Sequence, residues 1–193
     1  MKTNESGRSM IEMLGVLAII GVLSVGGISG YSKAMSVMKV NKTVDQLTQI
    51  TASTRALFAG HKTYEALGKP TAGYLIKKSR LVPDEMITSI DNSGKLTMEN
   101  AFGGSVTLGV ADKGNRTDKA FTITYDTIPQ SSCIELATKD WGQGKSSGLW
   151  KVEVNGAPIY NMDSNATDDS ITVGESVTAC NSPHSNTIAW TFY

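Results

Sequence analysis

From Met13 to Ser32 the chain reads MLGVLAIIGVLSVGGISGYS, twenty residues without a formal charge. At 1.5 Å per residue a helix of that length spans roughly 30 Å, the hydrocarbon thickness of one bilayer. Lys2 and Arg8 precede the run and Lys33, Lys39 and Lys42 follow it, so the positive-inside rule gives no clean orientation. A cleaved secretory signal is the simplest alternative, with Ser24-Val25-Gly26 as a loose small-x-small cleavage pattern. Two features oppose it. Glu12 stands at the edge of the apolar run, where a lone carboxylate costs a few kcal/mol unless a cation pairs with it, and an ordinary signal peptide has no use for it. Beyond the run, mainly apolar side chains recur at Tyr31, Met35, Met38, Val40, Val44, Leu47, Ile50, Thr54, Leu57 and Phe58, close to helical spacing, before Gly60 offers a stop. Residues 8–59 therefore read as one rod of about 50 residues, roughly 75 Å long, which exceeds the needs of a simple anchor.

The chain's 193 residues suit one ordinary domain with an appendage. Lys+Arg and Asp+Glu both number 18, so no net field draws the monomer to nucleic acid. Cys133 and Cys180 lie far apart without C-x-x-C spacing, which argues against zinc or a redox pair. One structural disulfide is the natural reading and requires an oxidising compartment; free buried thiols are the alternative.

The segment SGRSMIEMLGVLAIIGVL resembles the class III leader junction of type IV prepilins and pseudopilins, in which a short leader ends in Gly and a Glu stands fifth after the cut. Gly7 is the only glycine ahead of the apolar run, and Arg8-Ser9-Met10-Ile11-Glu12 puts Glu12 fifth after it. The resemblance implies that a prepilin peptidase removes residues 1–7, leaving 193 − 7 = 186, and methylates the new amino group of Arg8. It also implies a partner for Glu12, the Arg8 amino group of a neighbouring subunit, so that a wrong stagger would leave a buried charge unmatched. At the Arg8 position the family more often carries Phe, Met or Leu. Gly26-x-x-x-Gly30 has the small-x-x-x-small spacing of close helix packing, and local unwinding is the other reading of these weak helix formers.

Past Gly60 the apolar pattern weakens, and Gly68-Lys69-Pro70 and Val82-Pro83-Asp84 punctuate a connecting region that has room for short helices. Strands are predicted at 105–110, 120–128, 149–154 and 187–192, and Ser132-Cys133-Ile134-Glu135 reads as a capping box opening a helix that ends near Lys139. This order is similar to that of pilins of the type IVb group, through Asn100-Ala101-Phe102-Gly103-Gly104, Phe121-Thr122-Ile123, Ile128-Pro129, Cys133 and Ala179-Cys180-Asn181. The expected fold is an α+β pilin ladle: a long N-terminal helix packed on an antiparallel sheet, with a C-terminal region closed by Cys133–Cys180. Residues 1–7 would be the leader, 8–32 the membrane-spanning and filament-core half of the helix, 33–59 its amphipathic half and 60–193 the globular head.

The implied function is structural. The chain would be a subunit of a type IV pilus or similar surface filament, without catalytic residues, cofactor or metal. Its implied partners are copies of itself in a helical homopolymer, the inner membrane, prepilin peptidase, the assembly machinery and a host or other cell surface. It would reside in the inner membrane before assembly and on the cell surface afterwards. Rival readings are a type II secretion-type pseudopilin or minor pilin, and a secreted or membrane-anchored binding domain.

Other motifs are weaker. Gly142-Gln143-Gly144-Lys145-Ser146 lacks the first glycine and the preceding strand of a phosphate loop, and reads as a surface turn. Residues 163–169 alternate oxygen ligands as a calcium loop does, but no glycine occupies the tight turn and Gly174 stands where the bidentate acid belongs, so a solvated loop is expected. His61 and His184 stand isolated, and no catalytic triad can be assembled by spacing. Trp150 and Trp190, on predicted strands, are expected in the core, while Trp141 is a candidate contact with a neighbouring subunit or host surface.

Overall fold

The computed structural model describes residues 6–142, with side chains from Met10 onward, and residues 148–162 and 171–193. The chain divides into two units, Met1–Met38 and Lys39–Tyr193. Helix α1, Ser6–Phe58, supplies the first unit and continues into the second. Its boundaries lie within two residues of the predicted rod, and it stays helical through Gly26–Gly30, so the isolated chain does not unwind there.

Within the second unit α1 buries Val40, Leu47, Ile50 and Phe58 together with Thr43, Gln46 and Thr54. Steps of three and four residues hold these side chains on one stripe of a 3.6-residue helix. A single-turn 3₁₀ helix, Glu65–Gly68, and helix α2, Ala72–Lys78, lead to a second 3₁₀ turn at Asp84–Met86. The strands are β1 Ile87–Ile90, β2 Leu96–Glu99, β3 Ser105–Lys113, β4 Arg116–Ile128, β5 Leu149–Val154, β6 Ala157–Asn161 and β7 Asn186–Phe192. Helix α3, Gln130–Thr138, follows β4, and α4, Val173–Ala179, precedes β7.

The seven strands among the described residues form one antiparallel sheet in the order β1-β2-β3-β4-β7-β5-β6. The last strand of the chain is thus inserted between β4 and β5. Alternation along it sends Ile188, Trp190 and Phe192 into the same apolar cluster as Phe121, Ile123 and Tyr125 of β4 and Val152 and Val154 of β5. On the opposite face the hydroxyls of Thr122 and Thr191 meet at 2.8 Å across the β4–β7 pair. Four strands match the predicted ones in place, with β3 running further and β4 starting earlier. The short strands β1, β2 and β6 carry too little alternation to be read from four or five residues.

One local expectation is corrected. Helix α3 starts at Gln130 after an extended Pro129, without a side-chain cap, and Ser132 lies buried inside it. Tertiary contacts set that start instead: Gln130 N–H donates to the Pro183 carbonyl at 3.2 Å, and its side-chain amide to the Cys180 carbonyl at 2.8 Å. The capping box belongs to α4, where Thr172 Oγ1 accepts from Glu175 N–H at 3.2 Å and the Glu175 carboxylate accepts from Thr172 N–H at 3.0 Å.

Candidate assembly site

Gly7 and Arg8 lie in the first turn of α1. From Met10 to Tyr31 thirteen large apolar side chains are each more than half exposed, including Ile11 at 73%, Leu23 at 68% and Ile28 at 68%. From Met10 onward the helix is long and apolar enough to cross a membrane. So continuous an apolar surface marks a site of contact with lipid or protein. Glu12 stands among these side chains, exposed, and no described side chain forms an ion pair with it. A Cβ added at Gly15, Gly21, Gly26, Gly27 or Gly30 would meet nothing within 4 Å. No described neighbour therefore crowds these glycines; at 3.6 residues per turn Gly15, Gly26 and Gly30 share one face of the helix, while Gly21 lies on the opposite side.

The second unit presents a stapled C-terminal region. Cys133 in α3 and Cys180 at the end of α4 form a disulfide with Cα atoms 6.0 Å apart, closing 47 residues of sequence separation around β5, β6 and α4. Asn186, fully buried, ties this region to the sheet: its Nδ2 donates to the carbonyls of Ile128 at 3.0 Å and Ser182 at 2.7 Å. Its Oδ1 accepts from Ser182 N–H at 3.0 Å and from Asn155 Nδ2 at 2.9 Å. Asn155 in turn opens the β5–β6 turn with φ 52°, followed by Gly156 at φ 80°, the left-handed pair that a two-residue hairpin of matching twist requires.

A second knot accounts for the Asn100–Gly104 motif. Asn100 Oδ1 accepts from the N–H groups of Phe102 at 2.8 Å and Gly104 at 3.0 Å, while its Nδ2 donates to the Asp126 carbonyl at 2.7 Å. A side chain on Gly104 would place Cβ 2.0 Å from that same carbonyl oxygen, so the close approach of the two segments requires glycine.

The tryptophans divide differently from expectation. Trp190 is fully buried, as predicted. Trp150 is only half-buried, its ring 6.0 Å from and perpendicular to that of Tyr193, with Lys113 Nζ 5.2 Å from its centroid. A register shift between Leu149 and Lys151 breaks the alternation that assigned it to the core. Trp141 donates its indole N–H to the Leu136 carbonyl at 2.7 Å and packs edge-on to Trp190 at 5.4 Å, leaving part of its ring at the surface.

Among the described residues no three His, Cys, Asp or Glu side chains form a group that could hold a metal ion. The candidate calcium loop at 163–169 and residues 143–146 of the phosphate-loop lookalike lie outside the described residues. His61 packs against the Phe58 ring at 5.8 Å.

A long N-terminal helix, an antiparallel sheet and a disulfide-closed C-terminal region together define the type IV pilin fold. The chain belongs to the PilS family, whose model, described as PilS N terminal, matches residues 37–193. In fold it is similar to the crystal structure of a type IVb pilin from Salmonella typhi, with TM-score 0.53 and 22% identity over 76% of this chain and 96% of that one. It is likewise similar to the crystal structure of TcpA, a type IV pilin from Vibrio cholerae El Tor biotype, with TM-score 0.55 and 16% identity over 81% and 99% of the two chains. No curated protein sequence matches it.

Proposed function

We propose that this chain is a structural, non-catalytic subunit of a type IV pilus or pilus-like surface filament. Prepilin peptidase cuts after Gly7 and methylates the Arg8 amino group, and the mature subunit waits in the inner membrane for the assembly machinery. The observation that carries this reading is the exposed apolar surface of α1 from Met10 to Tyr31 with one carboxylate, Glu12, at its edge. Leaving the bilayer exchanges lipid contacts for helix contacts, so the gain comes from close packing at small residues such as Gly15, Gly26 and Gly30 and not from hydrophobicity. Glu12 supplies register. In an apolar filament interior it is tolerated when it meets the positive Arg8 amino group of a neighbour, and a mismatched stagger costs several kcal/mol. Adhesion to a host or other cell would be a property of the coat formed by residues 60–193.

The test is to produce the chain in cells carrying prepilin peptidase and a type IVb assembly machinery, and to shear the surface fraction. Filaments that label along their length with antibody to residues 60–193 are expected. Chain found only as monomer in the periplasm or medium, with the machinery active on its own pilin, contradicts the reading.

A further inference from the structure

The sheet face turned away from the core carries an arrangement that assembly by α1 does not use. One residue from each of five neighbouring strands forms a row across it, Gly109, Thr122, Thr191, Lys151 and Asn161, each the registered partner of the next. The Thr122 and Thr191 hydroxyls, 2.8 Å apart, lie at the floor of a cavity of about 450 Å³ that opens over this row. Asp112, near the end of β3, and Glu153, two residues beyond Lys151 on β5, stand in its walls. Trp150 stands there too. The register shift between Leu149 and Lys151 turns this indole, which unbroken alternation would send to the core, onto the polar face.

Part of the hydrogen-bonding capacity of this wall is unused. Asp112 Oδ1 accepts from Asp118 N–H at 2.8 Å and Glu153 Oε1 pairs with Lys151 Nζ at 3.0 Å, while the second oxygen of each carboxylate has no partner among the described residues. The two threonine hydroxyls need only one hydrogen for the bond between them, so the other is left to donate elsewhere. Trp150 is half-buried, with Lys113 Nζ 5.2 Å from its centroid and the Tyr193 ring perpendicular to it at 6.0 Å. Neither of those neighbours lines the cavity, so the part of the indole that does is not the part they cover. Apart from Thr191 every lining residue is at least part-exposed, and the unused groups are therefore open to solvent.

These walls exclude most classes of ligand. An anion would meet two carboxylates, a metal ion would find only those two with the Lys151 ammonium beside them, and an apolar molecule would strip water from the carboxylates without replacing it. What fits is an uncharged molecule with several hydroxyls and an apolar side. We infer that the cavity binds a pyranose of a neutral glycan. The C–H groups of the sugar ring lie against the Trp150 indole, and its hydroxyls donate to Asp112 and Glu153 and accept from Lys151. The volume falls within the roughly 300–1,000 Å³ of small-molecule sites. Floor and walls are carried by hydrogen-bonded strands, so binding orders few groups that are not already held. The cavity lies wholly within Lys39–Tyr193, and the inference goes beyond the filament reading without resting on it.

The test applies the full-length protein, in a detergent without a sugar headgroup, to an array of neutral, sialylated and sulfated oligosaccharides. Binding to neutral members is expected, with the methyl glycoside of the sugar they share competing for the site and shifting the tryptophan fluorescence. Asp112→Asn combined with Glu153→Gln, which preserves side-chain size, is expected to weaken binding at least tenfold at unchanged Tm. Trp150→Ala should weaken it by a similar factor, and Trp150→Phe, which keeps an aromatic face, should retain part of the affinity. Absence of binding to any neutral glycan, a preference for sialylated or sulfated members, or full affinity in the double variant overturns the inference. A methyl glycoside that does not compete overturns it as well, since the site then does not recognise a single pyranose. Filaments from a chain that binds no sugar sink this inference alone, whereas sugar binding by a chain that forms no filaments sinks only the filament reading.

Discussion

Asn155 Nδ2 donates to Asn186 Oδ1 at 2.9 Å, joining the turn of one hairpin to the first residue of β7, an interior strand of the sheet. Because Asn186 is fully buried and also holds Ile128 and Ser182, replacing it by Ala would strand several buried polar groups at once. Unsatisfied buried groups each cost about 1–3 kcal/mol, so Asn186→Ala should lose about 3 kcal/mol of stability overall. Urea unfolding followed by tryptophan fluorescence checks this, and a loss below about 1 kcal/mol would mean that water replaces the side chain.

The Cys133–Cys180 bond restrains a segment of 47 residues' separation, for which chain-entropy estimates give roughly 4 kcal/mol. Reduction, or the double replacement Cys133→Ser with Cys180→Ser, should therefore lower Tm markedly. Disruption is expected first in β5, β6 and α4, which the bond encloses. Hydrogen exchange should show these amides losing protection before those of β3 and β4; uniform loss across the sheet would count against a local staple.

Acid should weaken the second unit through two exposed carboxylates. A hydrogen bond from Gln46 and then one from Lys42 hold Glu85 below its ordinary value of 4.5, and the Ser93 hydroxyl followed by the Lys95 N–H hold Asp91 below 3.8. The unfolded chain takes up these protons at the ordinary values and the folded chain only at lower ones. The stabilisation is therefore present at neutral pH and is lost as pH falls through the depressed folded values. Between about pH 5 and about pH 3 the urea midpoint of the wild type should fall more steeply than that of Glu85→Gln with Asp91→Asn. Parallel curves would place the acid sensitivity elsewhere.

Glu12 makes no ion pair with a described side chain, so its removal should leave the second unit's stability unchanged. On the assembly account Glu12→Ala inserts in the membrane and is cleaved normally, yet filament yield falls by at least tenfold. Abundant normal filaments from that variant would remove the assigned role.

Helix α1 was legible because a charge-free run and a 3.6-residue period persist over its whole length, and β4, β5 and β7 because their alternation is carried by bulky residues. The partnership of Cys133 and Cys180 was legible from counting alone. Other signals were present and overlooked: Asn155-Gly156 specifies the β5–β6 turn, and Thr172-x-x-Glu175 caps α4. The equivalent pattern at Ser132-x-x-Glu135 misled, since contacts from Pro183 and Cys180 begin α3 three residues earlier, with Pro129 in the capping position. Trp150 was assigned to the core by an alternation that a bulge interrupts.

On the proposed reading, filament assembly by the exposed half of α1 depends on where the mature chain begins. Intact-mass and N-terminal peptide analysis of protein sheared from the surface of producing cells is the direct measurement. The account predicts a chain starting at Arg8, 186 residues long, with one added methyl and a mass two hydrogens short of the reduced cysteines. A start near Gly26, or an intact Met1 in cells with active prepilin peptidase, would contradict it and leave Glu12 without a partner.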